Sequence, residues 1–303
     1  MRALVIGASG QVGGALMKAL KARGHEATGT YRSFPIEGYV RLDLNDSQSV
    51  QALVERERPD WIFCTAGMTN ADACEEQPEA ARREIVDGPL GIARLGQKIG
   101  AGFVFYSSAY VFDGKSGPYA EEHAPSPINI YGKCKYEAEK IIQSELERWV
   151  IVRTVVVYGP EAQGKNFACQ VLRAARSSTK IAVPVDQVSN TTYNEDLALA
   201  SVELAERDVP GIYHLAGPDK EDRYSFARLV CEVFGWDAGF LEPQNTTEMS
   251  QRAARPLLAG LVTSKAQREL KTVMEVAREG LLRMKGKLGD GFASPARRDV
   301  AGR

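Results

Sequence analysis

Residues 3–13 read ALVIGASGQVG, an apolar run followed at once by three glycines at GxxGxxG spacing. Four consecutive apolar residues that end in glycine are typical of a buried parallel strand, and apolar residues from Val12 to Leu20 then recur at helical spacing. Glycine at the turn lets a phosphate approach, and the helix N-terminus offers it unpaired N–H groups. The segment therefore predicts dinucleotide binding, with a plain tight turn as the alternative. The residues assigned to this contact are Gly7, Ser9, Gly10, Gln11, Val12 and Gly13.

Strand-like and helical stretches alternate through the first half of the chain. Strands are expected near 26–31, 39–42, 60–64, 102–106 and 149–157, and helices near 46–57, 75–98 and 132–147. Strands that alternate with helices pair in parallel through right-handed crossovers and bind ligands at their carboxyl ends. This predicts an α/β fold in which residues 1–160 form a doubly wound parallel Rossmann sheet.

The second half of the chain has a looser rhythm. Helices are expected near 166–176, 194–207, 224–235 and 264–285, and short strands near 180–183 and 211–215. We interpret 161–290 as a smaller mixed α/β substrate lobe, interleaved with the first domain because the chain returns to it near 190–208. Residues 291–303 contain few apolar side chains and are expected to form a flexible tail.

Composition excludes several classes of protein. With 38 basic and 39 acidic side chains, the net charge of −1 gives no electrostatic reason to bind nucleic acid or an anionic membrane. No apolar run approaches the roughly 18 residues of a membrane span. The five cysteines form no CxxC pair and the three histidines have no metal-ligand spacing, so we expect no metal and a reducing cytoplasm. Charge and composition leave a homodimer open.

The residues after the second expected strand, Thr30-Tyr31-Arg32-Ser33, indicate which dinucleotide binds. NAD sites usually have a carboxylate here for the ribose 2′-hydroxyl, whereas this stretch has none and Arg32 can pair with a 2′-phosphate. We therefore predict NADP(H), bound by Tyr31 and Arg32, with a solvated Arg32 as the alternative. Asp43 and Leu44 follow the third strand, where the carboxylate can accept a hydrogen bond from adenine or cap a helix. The other residues assigned to the cofactor are Thr65, Ala66, Gly67, Tyr131 and Lys135.

Three side chains have the chemistry of a carbonyl reductase or alcohol dehydrogenase. Tyr131 and Lys135 are four residues apart near the start of an expected helix, so they share one face. A nearby ammonium favours the phenolate, which lets a tyrosine of ordinary pKa ~10 exchange a proton near neutrality. Ser108 follows a strand and can hydrogen-bond the same carbonyl oxygen. The catalytic residues predicted are thus Ser108, Tyr131 and Lys135.

With these residues in place, the chain resembles the extended short-chain dehydrogenase/reductase superfamily. Within it, the likeness is to the dTDP-4-dehydrorhamnose reductases and the related regulatory β subunit of methionine adenosyltransferase. The likeness covers about residues 1–235 and is carried by GASGQVG (7–13), SSAYVFDG (107–114), PINIYGKCKYEAE (127–139) and GIYHLAG (211–217). It implies NADPH-dependent reduction of a 4-keto group on a nucleotide-activated deoxysugar, with Tyr131 as the acid.

The resemblance also suggests substrate contacts and shows departures. The substrate-binding residues predicted are Ala109, Tyr110, Phe112, Asn166 and Gln187. Packing is the alternative for Tyr110 and Phe112, and helix capping for Asn166. Ala109 replaces the family's usual Asp, Ile85 stands where Asn is common, and the DQxGxPT pattern after Asp186 has lost its Gly and Pro.

Two other functions stay open. A sugar-nucleotide epimerase or dehydratase would retain tightly bound NAD, against which Arg32 and Ala109 argue. A non-catalytic NADP-binding regulatory subunit would keep the cofactor site without turnover.

Overall fold

The computed structural model describes residues 1–289, so the flexible tail predicted for 291–303 lies outside the described residues. The strands are β1 Arg2–Ile6, β2 Glu26–Tyr31, β3 Val40–Arg41, β4 Trp61–Cys64, β5 Gly102–Ser108, β6 Trp149–Thr154, β7 Val157–Tyr158, β8 Ile181–Pro184, β9 Val188–Asn190, β10 Thr192–Tyr193, β11 Gly211–His214, β12 Lys220–Asp222 and β13 Leu241–Gln244. The helices are α1 Gln11–Ala22, α2 Ser47–Glu57, α3 Ala71–Glu76, α4 Pro78–Arg82, α5 Gly88–Lys98, α6 Ile130–Glu145, α7 Phe167–Ser177, α8 Asn194–Arg207, α9 Arg223–Phe234, α10 Ser264–Glu269 and α11 Ala277–Leu288.

Seven parallel strands form the central sheet in the order β11-β6-β5-β4-β1-β2-β3. Successive side chains of a strand face opposite sides, so each strand feeds two cores. Leu4 and Ile62 belong to the core on the α2, α5 and α6 side. Val5 and Phe63 belong to the core on the α1 and α8 side. The predicted doubly wound α/β fold is confirmed.

The first turn of the fold depends on two glycines. Gly7 has a φ of +80°, which side-chain-bearing residues rarely adopt. A Cβ added to Gly13 would lie 2.3 Å from the carbonyl oxygen of Gly7, so α1 packs directly against the turn. The GxxGxxG spacing therefore serves the backbone geometry of the strand–helix junction.

A third core lies outside the central sheet. It gathers fully buried aromatic and aliphatic side chains from β7, β10, α9 and α11, among them Tyr158, Tyr193, Phe226 and Leu281. Three two-stranded sheets also lie outside the central sheet, pairing β7 with β10, β9 with β12 and β8 with β13. β11 belongs instead to the central sheet, next to β6, although the sequence placed 211–215 in the smaller lobe.

The predicted helix 264–285 is wrong in its middle, where α10 ends and α11 begins. Carboxylates bind the N–H groups of this connection: Glu203 accepts from Lys271 and Thr272, and Asp196 accepts from Glu275. Helix-like apolar spacing could not reveal these distant acceptors.

The single helix predicted for 75–98 is likewise interrupted. It consists of the end of α3, then α4, a π-helical turn at Arg83–Asp87, and α5. Pro78 begins α4 because it lacks the N–H that a continuous helix needs.

None of the helices between residues 1 and 289 combines the length and apolarity needed to cross a lipid bilayer. All five cysteine thiols are buried and free.

Candidate active site

A cleft of about 600 Å³ opens at the carboxyl end of the central sheet. Its floor is made by residues at or just after the ends of strands, including Gly7 after β1, Tyr31 in β2, Thr65 after β4, Ser108 in β5 and Thr154 in β6. This is where a doubly wound sheet binds its ligands. The opposite wall, residues 161–167 and Arg223, comes from the second half of the chain.

The glycine turn forms one end of the cleft. The Gly7 N–H donates to Thr30 Oγ1 at 3.2 Å, and Thr65 Oγ1 donates to the Ile6 carbonyl at 2.8 Å. Helix α1 begins after Gly10 with no side chain capping it. Its first N–H groups and the positive end of its dipole are therefore available to a phosphate.

Most of the predicted cofactor residues line this cleft. Those in its wall are Gly7, Ser9, Gly10, Gln11, Val12, Tyr31, Arg32, Asp43, Leu44, Thr65, Ala66, Gly67, Tyr131 and Lys135. Gly13 does not line it and instead packs beneath the turn. The capping role considered for Asp43 is wrong, because Asp46 caps α2. Asp43 accepts hydrogen bonds from the backbone and side chain of Asn45, both at 2.9 Å.

Arg32 is not a free cation at the mouth of the cleft. Its Nη1 lies 2.7 Å from Glu84 Oε1, and Glu84 also lines the cleft. A carboxylate therefore does lie at this position, contrary to the prediction. No acid directly follows β2, and Glu84 reaches the site from the π-helical turn instead.

The three predicted catalytic residues converge on the cleft. Ser108 ends β5, and its Oγ accepts from the Tyr110 N–H at 3.2 Å. Tyr131 and Lys135 lie on the first turns of α6, whose start is fixed by the Asn129 side chain accepting from the Gly132 N–H at 2.7 Å. Lys135 Nζ donates to the Tyr106 carbonyl at 2.7 Å and lies 5.8 Å from the centre of the Tyr131 ring.

Burial dominates the proton affinities of this pair. It raises the pKa of Tyr131 above that of a free phenol, and a hydrogen bond with Ser108 opposes the shift. Burial also lowers the pKa of Lys135 to about 8, against smaller opposing effects of Cys64 and Glu139. The expectation that Lys135 makes the phenol more acidic is therefore wrong for this arrangement. The raised pKa favours the protonated form of Tyr131 at neutral pH.

The predicted substrate residues divide into two groups. Asn166 lines the cleft while also capping α7, whereas Tyr110 does not line it but contacts the ring of Tyr131, which does, edge-on with 5.8 Å between centroids. Ala109, Phe112 and Gln187 do not line the cleft. Phe112 is fully buried and stacks on Tyr119, and Gln187 donates to Thr246 and Gln251. These three side chains pack or hydrogen-bond within the protein, which their motif position alone did not reveal.

Arg223 is a cleft residue that sequence reasoning missed. It begins α9, its guanidinium lies 5.3 Å from the Phe167 ring centre, and the nearby Tyr110 favours its charged form. Burial lowers the pKa of Arg223, and among residues 1–289 no carboxylate forms an ion pair with it. No local motif marks this arginine, because its position depends on how α9 docks.

No cluster of three histidine, cysteine or carboxylate side chains suitable for a metal occurs in the described part of the chain.

Comparison with known proteins identifies the family. The protein-family model described as RmlD substrate binding domain matches residues 1–288 of this chain. The dTDP-4-dehydrorhamnose reductase of Escherichia coli (strain K12) is 33% identical over 300 residues, which cover 95% of this chain and 98% of that protein. Methionine adenosyltransferase 2 subunit beta of Xenopus tropicalis is 30% identical over 249 residues, which cover 80% of this chain and 75% of that protein.

Solved structures agree with this relationship. The dTDP-4-dehydrorhamnose reductase of Bacillus anthracis str. Ames, in complex with NADP, superposes with a TM-score of 0.86 at 28% identity. The match covers 93% of this chain and 98% of that one. The resemblance inferred from the motifs is confirmed: the chain belongs to the RmlD substrate binding domain family, within the extended short-chain dehydrogenases/reductases.

Proposed function

We propose that this protein is an NADPH-dependent reductase of a nucleotide-activated 4-keto-deoxysugar, of the type that dTDP-4-dehydrorhamnose represents. The observation that carries the proposal is the convergence of Ser108, Tyr131 and Lys135 on the cleft that also contains the glycine turn. The relative named dTDP-4-dehydrorhamnose reductase and the solved NADP complex support the choice of substrate and cofactor.

The cleft fits a dinucleotide on structural grounds. The glycine turn and the start of α1, where no side chain caps the first N–H groups, would hold the diphosphate. Arg32, Asp43 and the residues beside them would hold the adenosine. When bound, the reduced nicotinamide supplies the hydride.

The chain's own residues would handle the proton and the carbonyl. Tyr131, which is partly buried and has a raised pKa, would donate its proton to the carbonyl oxygen as that oxygen gains negative charge. Ser108 would hydrogen-bond the same oxygen and orient it. Lys135, whose ammonium the Tyr106 carbonyl anchors, would hold the cofactor ribose beside Tyr131.

We assign Arg223 to the diphosphate of the sugar nucleotide. A partly buried guanidinium with no carboxylate partner in the described residues favours the binding of an anion. Its planar fork matches phosphate oxygens. The contact through Tyr110 to Tyr131 places this cation close to the reacting centre.

Replacing Arg223 tests this assignment. We expect Arg223→Gln to weaken dTDP binding about tenfold, because hydrogen bonds between charged groups contribute about 1.5–3 kcal/mol each. NADPH binding is expected to change less than about twofold. Calorimetric titration measures both, with Arg228→Gln, on an exposed position of the same helix, as the matched control. Equal dTDP affinity in wild type and Arg223→Gln would rule the role out.

The decisive assay for the function is oxidation of NADPH by the purified protein with dTDP-4-dehydrorhamnose. We expect turnover that depends on the sugar nucleotide. NAD that survives purification, without net NADPH oxidation, would instead support an epimerase. Tight NADPH binding with no turnover on any keto-sugar nucleotide would support a regulatory subunit, a possibility favoured by the relative named methionine adenosyltransferase 2 subunit beta. Light scattering would test whether the protein forms a homodimer.

A further inference from the structure

We propose that Glu84 and Arg32 form a paired cofactor selector. Glu84 binds the adenosine ribose 2′-hydroxyl of NADH, Arg32 binds the 2′-phosphate of NADPH, and the cleft therefore accepts both. The inference rests on the proposed function, since it takes this end of the cleft to be the adenosine site.

The geometry places one acid and one base side by side at the same wall. Glu84 Oε1 and Arg32 Nη1 are 2.7 Å apart, and both residues line the cleft together with Asp43 and Leu44. The Arg32 side chain is 54% exposed and that of Glu84 22% exposed, so both can reach a ligand. An exposed pair of this kind is held weakly enough to exchange partners.

The acid comes from an unusual place in the chain. Dinucleotide sites that bind NAD usually take their ribose carboxylate from the residues after β2, where this chain has Arg32 and Ser33. Here the π-helical turn supplies Glu84, 52 residues further on. Gly67 permits this approach, because a Cβ there would lie 3.3 Å from the Glu84 carbonyl oxygen. The carboxylate thus takes the usual role from a different element.

Electrostatics give the two residues opposite preferences. A 2′-phosphate carries nearly two negative charges at neutral pH, so it is attracted by Arg32 and repelled by Glu84. A 2′-hydroxyl carries no charge and can donate a hydrogen bond to a carboxylate. Asp43 adds negative charge near Arg32, and Arg83 lines the same end of the cleft. Because Glu84 is ion-paired with Arg32 and partly neutralises its charge, the native site discriminates only weakly between the two cofactors.

The test is a set of equilibrium titrations with NADPH and NADH, followed by nucleotide fluorescence without any sugar substrate. We expect Glu84→Gln to bind NADPH at least about threefold more tightly and NADH at least about threefold more weakly. We expect Arg32→Gln to weaken NADPH at least about tenfold and to leave NADH within about twofold. Glu137→Gln, which breaks an arginine–glutamate pair outside the cleft, is the matched control and should leave both affinities unchanged.

Glu84→Gln is expected to change the affinities for NADPH and NADH in opposite directions, which a merely structural role of Glu84 would not do. Loss of affinity for both cofactors, or no change in either, would overturn the proposal. Glu84→Ala and thermal melting of each variant guard against a folding defect. The readout needs no turnover, so failure of keto-sugar reduction would count against the proposed function alone. A protein that binds neither nucleotide would overturn both.

Discussion

Tyr131→Phe is expected to lower kcat for keto-sugar reduction by about a thousandfold. The substitution removes only the hydroxyl, which is the proposed proton donor, and general acid catalysis typically contributes about 10²–10⁴-fold. Burial raises the pKa of Tyr131 and so favours the protonated form, which is the form that can give a proton. Steady-state oxidation of NADPH with dTDP-4-dehydrorhamnose measures the loss.

The controls separate chemistry from binding. NADPH affinity of Tyr131→Phe should stay within about twofold of wild type, since the phenyl ring keeps its contact with Tyr110. Tyr136→Phe, one helical turn further along α6 and outside the cleft, should retain full turnover. If Tyr131→Phe kept more than a tenth of the wild-type kcat, the assigned role would be wrong.

Lys135→Met is expected to abolish nearly all turnover and at the same time to stabilise the fold. Burial lowers the pKa of Lys135 to about 8, from about 10.4 in an unfolded chain. Between these values the unfolded chain binds more protons, so the wild-type free energy of unfolding rises with pH there. Below about pH 8 the folded protein bears the full free-energy cost of keeping the Lys135 ammonium buried.

The stability gain follows from that sign. Removing the ammonium relieves the cost of its burial, and this gain is partly offset by the loss of its hydrogen bond to the Tyr106 carbonyl. The free energy of unfolding should therefore rise by about 2 kcal/mol at pH 7. The gain should shrink as pH rises toward about 10.4. Differential scanning calorimetry across this range measures it, with Lys140→Met on the exposed side of α6 as control. A lower Tm for Lys135→Met at pH 7 would contradict the argument.

Local signals made the glycine turn and the Tyr131–Lys135 pair predictable. Each depends on residues within one element or one junction, so spacing alone describes its geometry. The seven-stranded sheet follows from the same local alternation. Even so, β11 was placed in the wrong lobe, because its pairing with β6 joins segments about 60 residues apart.

The rest of the site depends on contacts between distant segments. Glu84 reaches Arg32 across 52 residues, and Arg223 reaches Tyr110 from the far lobe. Phe112 lies inside a family motif, yet Tyr119 stacks on it and removes it from the cleft. A motif identifies a segment, but only docking decides which side chains of that segment face the ligand.

The most direct test of the reductase account follows the hydride itself. The purified protein is incubated with dTDP-4-dehydrorhamnose and NADPH carrying deuterium at both positions of the nicotinamide C4, and the sugar product is analysed by mass spectrometry. The account predicts one deuterium at C4 of the sugar for each NADPH consumed, with Tyr131→Phe transferring almost none. A product without deuterium, or one formed with no loss of NADPH, would contradict it.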